Sequence, residues 1–224
     1  SIIEGPIDGN TILFLLNAIY FEANWAKSFR EGATEEKPFT LPDGTKKDVP
    51  MMVNSGEFQY FEEDGFEAIR LPYKGHRMSM LVFLPDEGSS LEELTSELNA
   101  SQWINAFERA NGSIEMPRFQ LEYETSLKEI LQQMGMQLAF EPHAAHFDNM
   151  ISLSENVYLK DAKHKAYIEV EEKGTVAAAV TSIEAGVTSA PAKTFQMIID
   201  CPFFFAIHDG QTDTILFMGT VTAP

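Results

Sequence analysis

Glu171-Glu172-Lys173-Gly174-Thr175-Val176-Ala177-Ala178-Ala179-Val180-Thr181-Ser182-Ile183 is the stretch on which the reading of this chain turns. Before it, Ala166-Tyr167-Ile168-Glu169-Val170 alternates as a strand with one buried face does. After it, Lys193-Thr194-Phe195-Gln196-Met197-Ile198-Ile199 alternates again. A hairpin joins two such strands with about two to five residues. This connector is several times longer, and connections beyond about a dozen structureless residues are usually functional or disordered. Its composition argues against disorder. From Thr175 to Ile183 there is no charge, glycine or proline, and nearly every side chain is small or β-branched. Gly174 supplies a pivot with free backbone torsions. The first proline, which cannot donate to a sheet ladder, waits until Pro191. These are the properties of a segment that is a loop in one state and a strand in another.

The run Glu-Glu-Lys-Gly-Thr-x-Ala-Ala-Ala-x-Thr over 171–181 resembles the hinge of the reactive-centre loop of serpins. Taken alone, the same letters also suit a flexible linker or a short helix over Val176–Ser182. The flanking sequence resembles the family in the same order. Asn17-Ala18-Ile19-Tyr20-Phe21, with Trp25 and Phe29, is similar to strand 3 of its central sheet, although Glu22-Ala23 stands where Lys-Gly is usual. Val49-Pro50-Met51-Met52, Phe83-Leu84-Pro85, Pro202-Phe203 and Phe217-Met218-Gly219 are similar to further family segments, with Cys201 where a histidine is frequent. The resemblance runs from Ser1 to Pro224 in one register. It implies an α+β fold of mixed sheets with peripheral helices, in a single domain over 1–224 with an exposed reactive-centre loop at about 172–192. It also implies that the family's N-terminal helices and two strands of its main sheet precede Ser1 and are missing here.

Composition sets broader bounds. The 224 residues are 44% apolar, enough to bury a sizeable core. Acidic residues number 34 against 16 basic, a net charge of −18. Nucleic acid is therefore not an expected partner, because binding it rests on neutralising phosphates with Lys and Arg. A solvated, soluble surface accounts for the acidity. The single Cys201 excludes an internal disulfide and any four-cysteine metal site. No apolar run reaches the roughly 20 residues that span a membrane, so no membrane partner is expected.

Outward from the hinge, the apolar run Asn10–Ala23 suits a strand buried on both faces or a core helix, and the resemblance selects the strand. Pro42-Asp43-Gly44 reads as a turn, and Phe58–Phe61, Phe66–Leu71 and Met78–Leu84 read as strands between glycine and charge clusters. Ser90-Leu91-Glu92-Glu93 is a capping box, with Leu91, Leu94 and Leu98 at helical spacing behind it. Trp103, Ile104 and Phe107 read as a second short helix stopped by Gly112. Met116-Pro117-Arg118-Phe119 enters a strand, and a third helix opens at Ser126 and ends before Gly135. Val157–Val170 reads as a strand carrying His164. Phe203–Ile207 and Ile215–Val221 read as a final pair joined at Asp209-Gly210.

Several constellations invite other chemistry. His143 and His146 lie near Glu141 and Asp148, but Pro142 interrupts any helix that would bring a pair three apart onto one face. Ser189, His164 and Asp161 make a hydrolase triad on paper, yet no Gly-x-Ser-x-Gly surrounds a serine. Cys201 precedes Pro202 in an apolar strand, where cysteines are commonly inert packing. Catalysis by Ser189 or Cys201 is not the expectation, and no cofactor or metal is called for.

What the resemblance implies is residue by residue. The hinge is Glu172, Gly174, Thr175, Ala177, Ala178, Ala179 and Thr181. Asn17 and His164 correspond to a pair that joins strands 3 and 5 at the family's shutter, a neutral imidazole against an amide. Glu172 pairs with Arg118 and Trp25 lies beneath, at the breach where the loop enters the sheet. The reactive bond falls between Thr188 and Ser189. The implied function is suicide inhibition of a serine protease: acyl-enzyme formation, then insertion of the loop from Thr175 onward. The alternative within the family is a non-inhibitory carrier, chaperone or storage protein. No Lys or Arg lies between Lys173 and Lys193, and no Phe, Tyr, Leu or Met between Val176 and Lys193. The expected target is thus elastase-like or subtilisin-like, with a pocket for small side chains. A monomeric, metastable, extracellular protein is expected.

Overall fold

The computed structural model describes residues 13–97, 104–147, 149, 157–175 and 194–224. It is an α+β fold of mixed sheets with few helices. The described residues divide into two compact units, one from Ser1–Phe21 with Leu121–Ile168 and one from Glu22–Gln120 with Glu169–Pro224.

In the first unit, β1 (Leu13–Tyr20) runs parallel to β9 (Leu159–Glu171), with Leu13 opposite Leu159 and Tyr20 opposite Tyr167. On its other side β9 pairs with β8 (Phe119–Ser126), where Lys163 meets Glu124 and Lys165 meets Glu122 across the strands. A small core of Phe140, Leu159 and Ala162 is covered by Leu127 and Leu131, which flank and carry α2 (Lys128–Gln133). That helix ends ahead of Gly135, whose φ of 101° an L side chain rarely adopts. β1 is not buried on both faces. Leu15, Leu16 and Tyr20 are 48%, 44% and 55% exposed.

The second unit is built on an eight-stranded sheet. Its order is β11 (Thr194–Ile198), β7 (Glu108–Pro117), β4 (Lys46–Glu63), β5 (Phe66–Pro72), β6 (Met78–Pro85), β12 (Phe203–Asp209) and β13 (Thr214–Val221), with β3 (Glu35–Thr40) added to β4. β6 is buried along almost its whole length, as its unbroken apolar run Met80–Leu84 requires of a central strand. Phe61, Ala68, Leu81, Phe83 and Ala206 form its core, and α1 (Leu91–Glu97) seals it with Leu94. The capping box forms: Glu93 N–H donates to Ser90 Oγ at 3.1 Å, and Ser90 N–H donates to Glu93 Oε2 at 2.9 Å. No helix among the described residues is long and apolar enough to cross a membrane.

The helix expected around Trp103, Ile104 and Phe107 is not formed by the described part. Residues 104–106 are a turn, and Gly112 lies inside β7. Gly112 stops nothing; it admits a ring. A Cβ there would sit 2.4 Å from Phe195 Cδ1, and Phe195 stacks on Tyr60 at 4.1 Å across the gap. β4 is also one long strand, running through Asn54-Ser55-Gly56. β7 pairs with it continuously from Met51 to Tyr60, and buried Asn54 donates through Nδ2 to Lys27 O and Ser28 O.

His208 on β12 is buried, with its side chain 3% exposed. Its Nε2 lies 3.4 Å from Asp213 Oδ1 but has no hydrogen-bond partner. Burial, and secondarily the Arg70 charge, hold its pKa below the ordinary 6.5. A histidine whose folded pKa is depressed stabilises the fold above its unfolded pKa and loses that contribution as pH falls. The denaturation midpoint should therefore drop as pH is lowered below about 6.5. His208→Gln should remove that part of the fall, as read by urea titrations at pH 7.5 and 5.5. Equal falls in both proteins would rule His208 out as its source.

Candidate functional site

The sequence singles out the end of β9, and there the second unit builds a densely tied site. Glu172 and Lys173 turn the chain back, and β10 (Gly174–Thr175) runs antiparallel to the end of β9, with Thr175 opposite Val170. On its other side β10 pairs antiparallel with β2 (Ala23–Asn24), Gly174 facing Asn24 and Thr175 facing Ala23. Two residues of the hinge are thus already strand.

Gly174 is required by this fit. Its φ is 155°, and a Cβ would lie 2.2 Å from Ala23 O and 2.5 Å from Asn24 Cα, both backbone atoms that cannot swing aside. Thr175 is fully buried, and its hydroxyl shares a hydrogen bond of 2.9 Å with the hydroxyl of equally buried Tyr73. Burial pushes the Tyr73 phenol well above its usual pKa, so it stays protonated. The Tyr73 ring stacks on Trp25 with centroids 4.5 Å apart and planes 9° from parallel.

Trp25 and Phe29 anchor the turn through its carbonyls. Trp25 Nε1 donates to Glu171 O at 2.9 Å, Trp25 N–H donates to Lys173 O at 2.9 Å, and Phe29 N–H donates to Glu172 O at 2.8 Å. The Glu172 side chain is 5% exposed and ionically matched. Arg118 Nε stands 2.9 Å from both carboxylate oxygens, Arg118 Nη2 stands 2.5 Å from Oε1, and Thr34 Oγ1 donates to Oε1 at 2.5 Å. Burial alone would raise the Glu172 pKa. The Arg118 and Thr34 hydrogen bonds outweigh it and hold the carboxyl below its usual range.

The structure therefore brings together Glu172, Gly174, Thr175, Trp25 and Arg118. Asn17 and His164 lie opposite each other in the parallel register of β1 and β9 in the first unit. Asn17 is exposed and His164 half-buried, and no hydrogen bond joins their side chains. Ala177, Ala178, Ala179, Thr181 and the Thr188–Ser189 bond lie outside the described residues. Tyr73, Thr34 and Phe29 belong to the site without having been expected in these roles. Each comes from a distant stretch, and only the aromatic at the end of Leu71-Pro72-Tyr73, just before a Lys-Gly turn, hints at a buried anchor.

Of the other constellations, Ser189 and Asp148 lie outside the described residues. Asp161 and His164 are three apart on β9, so they project to opposite faces, and Asp161 accepts from Ser126 Oγ at 2.5 Å instead. His143 lies in a turn, and no group of three metal-ligating side chains occurs among the described residues. Cys201 sits half-buried in a bend just ahead of β12, not within a strand, and burial raises its thiol to about 11, far from a reactive thiolate.

Removing Arg118 tests how much this end of the molecule depends on the pair. Arg118→Met should destabilise the fold by about 3 kcal/mol, the low end for a broken buried pair because the arginine is half open to solvent. Glu172→Gln in the same background should restore part of that loss, since the orphaned charge is gone. Urea titration of both variants checks this, and a loss under about 0.5 kcal/mol, the scale of an ordinary surface substitution, would show that the pair is not a structural anchor.

The serpin (serine protease inhibitor) family model matches residues 1–224. An uncharacterised serpin-like protein of Thermococcus kodakarensis is 39% identical over 221 residues, covering 96% of this chain and 50% of that protein. Plasminogen activator inhibitor 1 of Sus scrofa is 37% identical over 230 residues, covering 99% and 56% respectively. The chain thus spans about half the length of the curated relatives it matches. The crystal structure of tengpin, a thermophilic serpin in its native state, superposes with a TM-score of 0.83 at 30% identity, over 98% of this chain and 58% of that one. With a family model matching its whole length, relatives above 30% identity and the fold of a solved serpin, this chain belongs to the serpin family.

Proposed function

We propose that the whole protein inhibits serine proteases by letting its loop be cut and then inserting it into the β1–β9 sheet. The observation that carries this is the seating of Gly174 and Thr175 as the first rungs of a strand antiparallel to β9. Continuing that register pairs Ala178 with Tyr167 and Gly186 with Leu159, the whole length over which β1 now lies against β9. The inserted strand would thus end two residues short of Thr188. Side chains alternate along a strand, so Ala177, Ala179 and Thr181 would follow Thr175 onto the buried face. All are small and uncharged, as insertion demands.

The energy is adequate. About a dozen new ladder bonds at ~1 kcal/mol net each, with apolar burial at ~25 cal/mol per Å², amount to on the order of ten kcal/mol. A native state without that strand is held kinetically. The protease attacks between Thr188 and Ser189 and becomes acylated, and insertion carries it away with its active site distorted. The protein is a trap and not a catalyst. Two relatives bear the names plasminogen activator inhibitor 1 and antithrombin-III, which supports a serine protease as the partner. The small, neutral Thr188, preceded by Val187 and Gly186, offers nothing to a trypsin-like pocket and suits an elastase-like or subtilisin-like one. Asn17 and His164, opposite each other on the strands that must part, are the proposed shutter.

Full-length protein mixed with such a protease should give a covalent complex on a denaturing gel, and mass spectrometry should find a released peptide beginning at Ser189. Ala177→Asp should leave cleavage intact and abolish the complex, because an unpaired charge inside the sheet costs on the order of several kcal/mol. Cleavage without any covalent complex in the parent protein would favour the non-inhibitory reading. An Ala177→Asp variant that inhibits as well as the parent would sink loop insertion.

A further inference from the structure

The second unit carries a feature that loop insertion does not use: a surface lysine fixed at both ends. At its root, buried Asn54 donates through Nδ2 to Lys27 O at 3.1 Å. At its tip, the Lys27 ammonium donates to Ser55 O at 2.7 Å. Gly56 makes room for that tip, since its φ is 138° and a Cβ there would stand 2.2 Å from Nζ. Nζ also lies 5.3 Å from the Phe58 ring centroid. Lys37, Lys163 and Lys173 each meet a carboxylate, whereas Lys27 meets a carbonyl and a ring.

The same lysine lines a half-open cavity of about 310 Å³, at the small end of the range for ligand pockets. Trp25, Phe29, Phe58 and Leu71, all buried, give the cavity its apolar lining. Phe58 and Leu71 share one face of the sheet with Gly56. Gly56 and Phe58 alternate onto the face of Tyr60, and Leu71 lies two residues from Ile69, the partner of Tyr60. Trp25 stacks on Tyr73, two residues further along. Arg70 and Arg109, both opposite Gln59, lie on the other face and take no part. Burial, and secondarily the charge of Arg30, hold the Lys27 pKa below the ordinary 10.5. Desolvation and a cationic neighbour are the two conditions that make a lysine amine nucleophilic. An ammonium brings three protons here, of which Ser55 O takes one. A protonated imine brings one N–H, which the same carbonyl can accept, and keeps its positive charge over Phe58. The carbonyl and the ring thus hold the condensed form as well as the free one.

We propose that Lys27 is a covalent capture site for apolar aldehydes, whose body lies on Trp25, Phe58 and Leu71. The amine nitrogen adds to the carbonyl carbon to give a carbinolamine. The carbonyl oxygen then leaves as water with two of the three ammonium protons. A C=N double bond bearing the remaining proton replaces C=O, and the positive charge stays on nitrogen. Nothing is oxidised or reduced, and the step is reversible. An aldehyde is the indicated class because it needs only an amine to react, and the lining offers its body apolar surface. A carboxylic acid would instead call for the arginines of the other face. This inference does not depend on the inhibitory reading, since no residue of the inserting loop takes part.

The test is reductive trapping. Full-length protein is treated near neutral pH with octanal or acetaldehyde in the presence of cyanoborohydride, and the alkylated lysines are located by peptide mass spectrometry. Octanal should label Lys27 about tenfold faster than the other lysines, the advantage of a positioned amine beside an apolar site. Acetaldehyde, which has almost no body to bury, should show little preference. Urea-unfolded protein should be labelled evenly by both. Lys27→Arg keeps the charge and a donor for Ser55 O, so the fold is preserved, and the fast octanal label should vanish while the slow ones remain. Even labelling of the folded protein by octanal overturns the proposal, as does a fast site at another lysine. Acetaldehyde that prefers Lys27 as strongly as octanal does would overturn it too, by reducing the site to an exposed amine.

Discussion

A carboxylate that has left water must be matched or it takes up a proton, and the end of β9 is organised around one that is matched. Glu172 draws Arg118 from the joint between β7 and β8 and Thr34 from the approach to β3, so one side chain ties three distant parts of the chain. With Glu172 fixed, the carbonyls of Glu171, Glu172 and Lys173 are presented to Trp25 and Phe29. That turn in turn aims Gly174 into a gap which only a residue without a side chain can enter.

The sequence was most informative where the physics is local. The capping box at Ser90–Glu93, the apolar run of β6 and the alternation of β9 each follow from residues a few positions apart, and each is present. Of the hinge, Gly174 and Thr175 are seen as strand, and the small, uncharged residues that follow lie outside the described residues. Its anchors were not legible. Tyr73 lies 102 residues from Thr175, and Thr34 lies 138 from Glu172. No periodicity carries such a pairing, and Glu172 with Arg118 was placed by family resemblance alone. Gly112 misled because glycine has two uses. As a helix stop it acts on its own backbone, whereas here it acts on a ring from β11 that the local sequence cannot announce.

Trp25 is the point where separate demands meet. One part of its indole is stacked on Tyr73, and its N–H is committed to Glu171 O. A large, rigid aromatic suits this position because it can satisfy one polar contact at its edge while presenting its faces to packing. Both rings of the stack are uncharged over the whole ordinary pH range, so the seat of Thr175 does not titrate. The ionic sensitivity of the region lies instead in Glu172 and its arginine.

The parallel register of β1 and β9 has a topological consequence. Two parallel neighbours can accept a strand between them that runs antiparallel to both, and β10 has that orientation. Completing it would exchange one ladder of slanted parallel bonds for two of the perpendicular, antiparallel kind, the more stable per residue. A sheet whose central pair was antiparallel could not make the same exchange, since any newcomer would be mismatched with one side. Strand polarity would thus favour the proposed insertion. It would require β1 and β9, now paired along the whole of β1, to part and admit a strand of the right polarity.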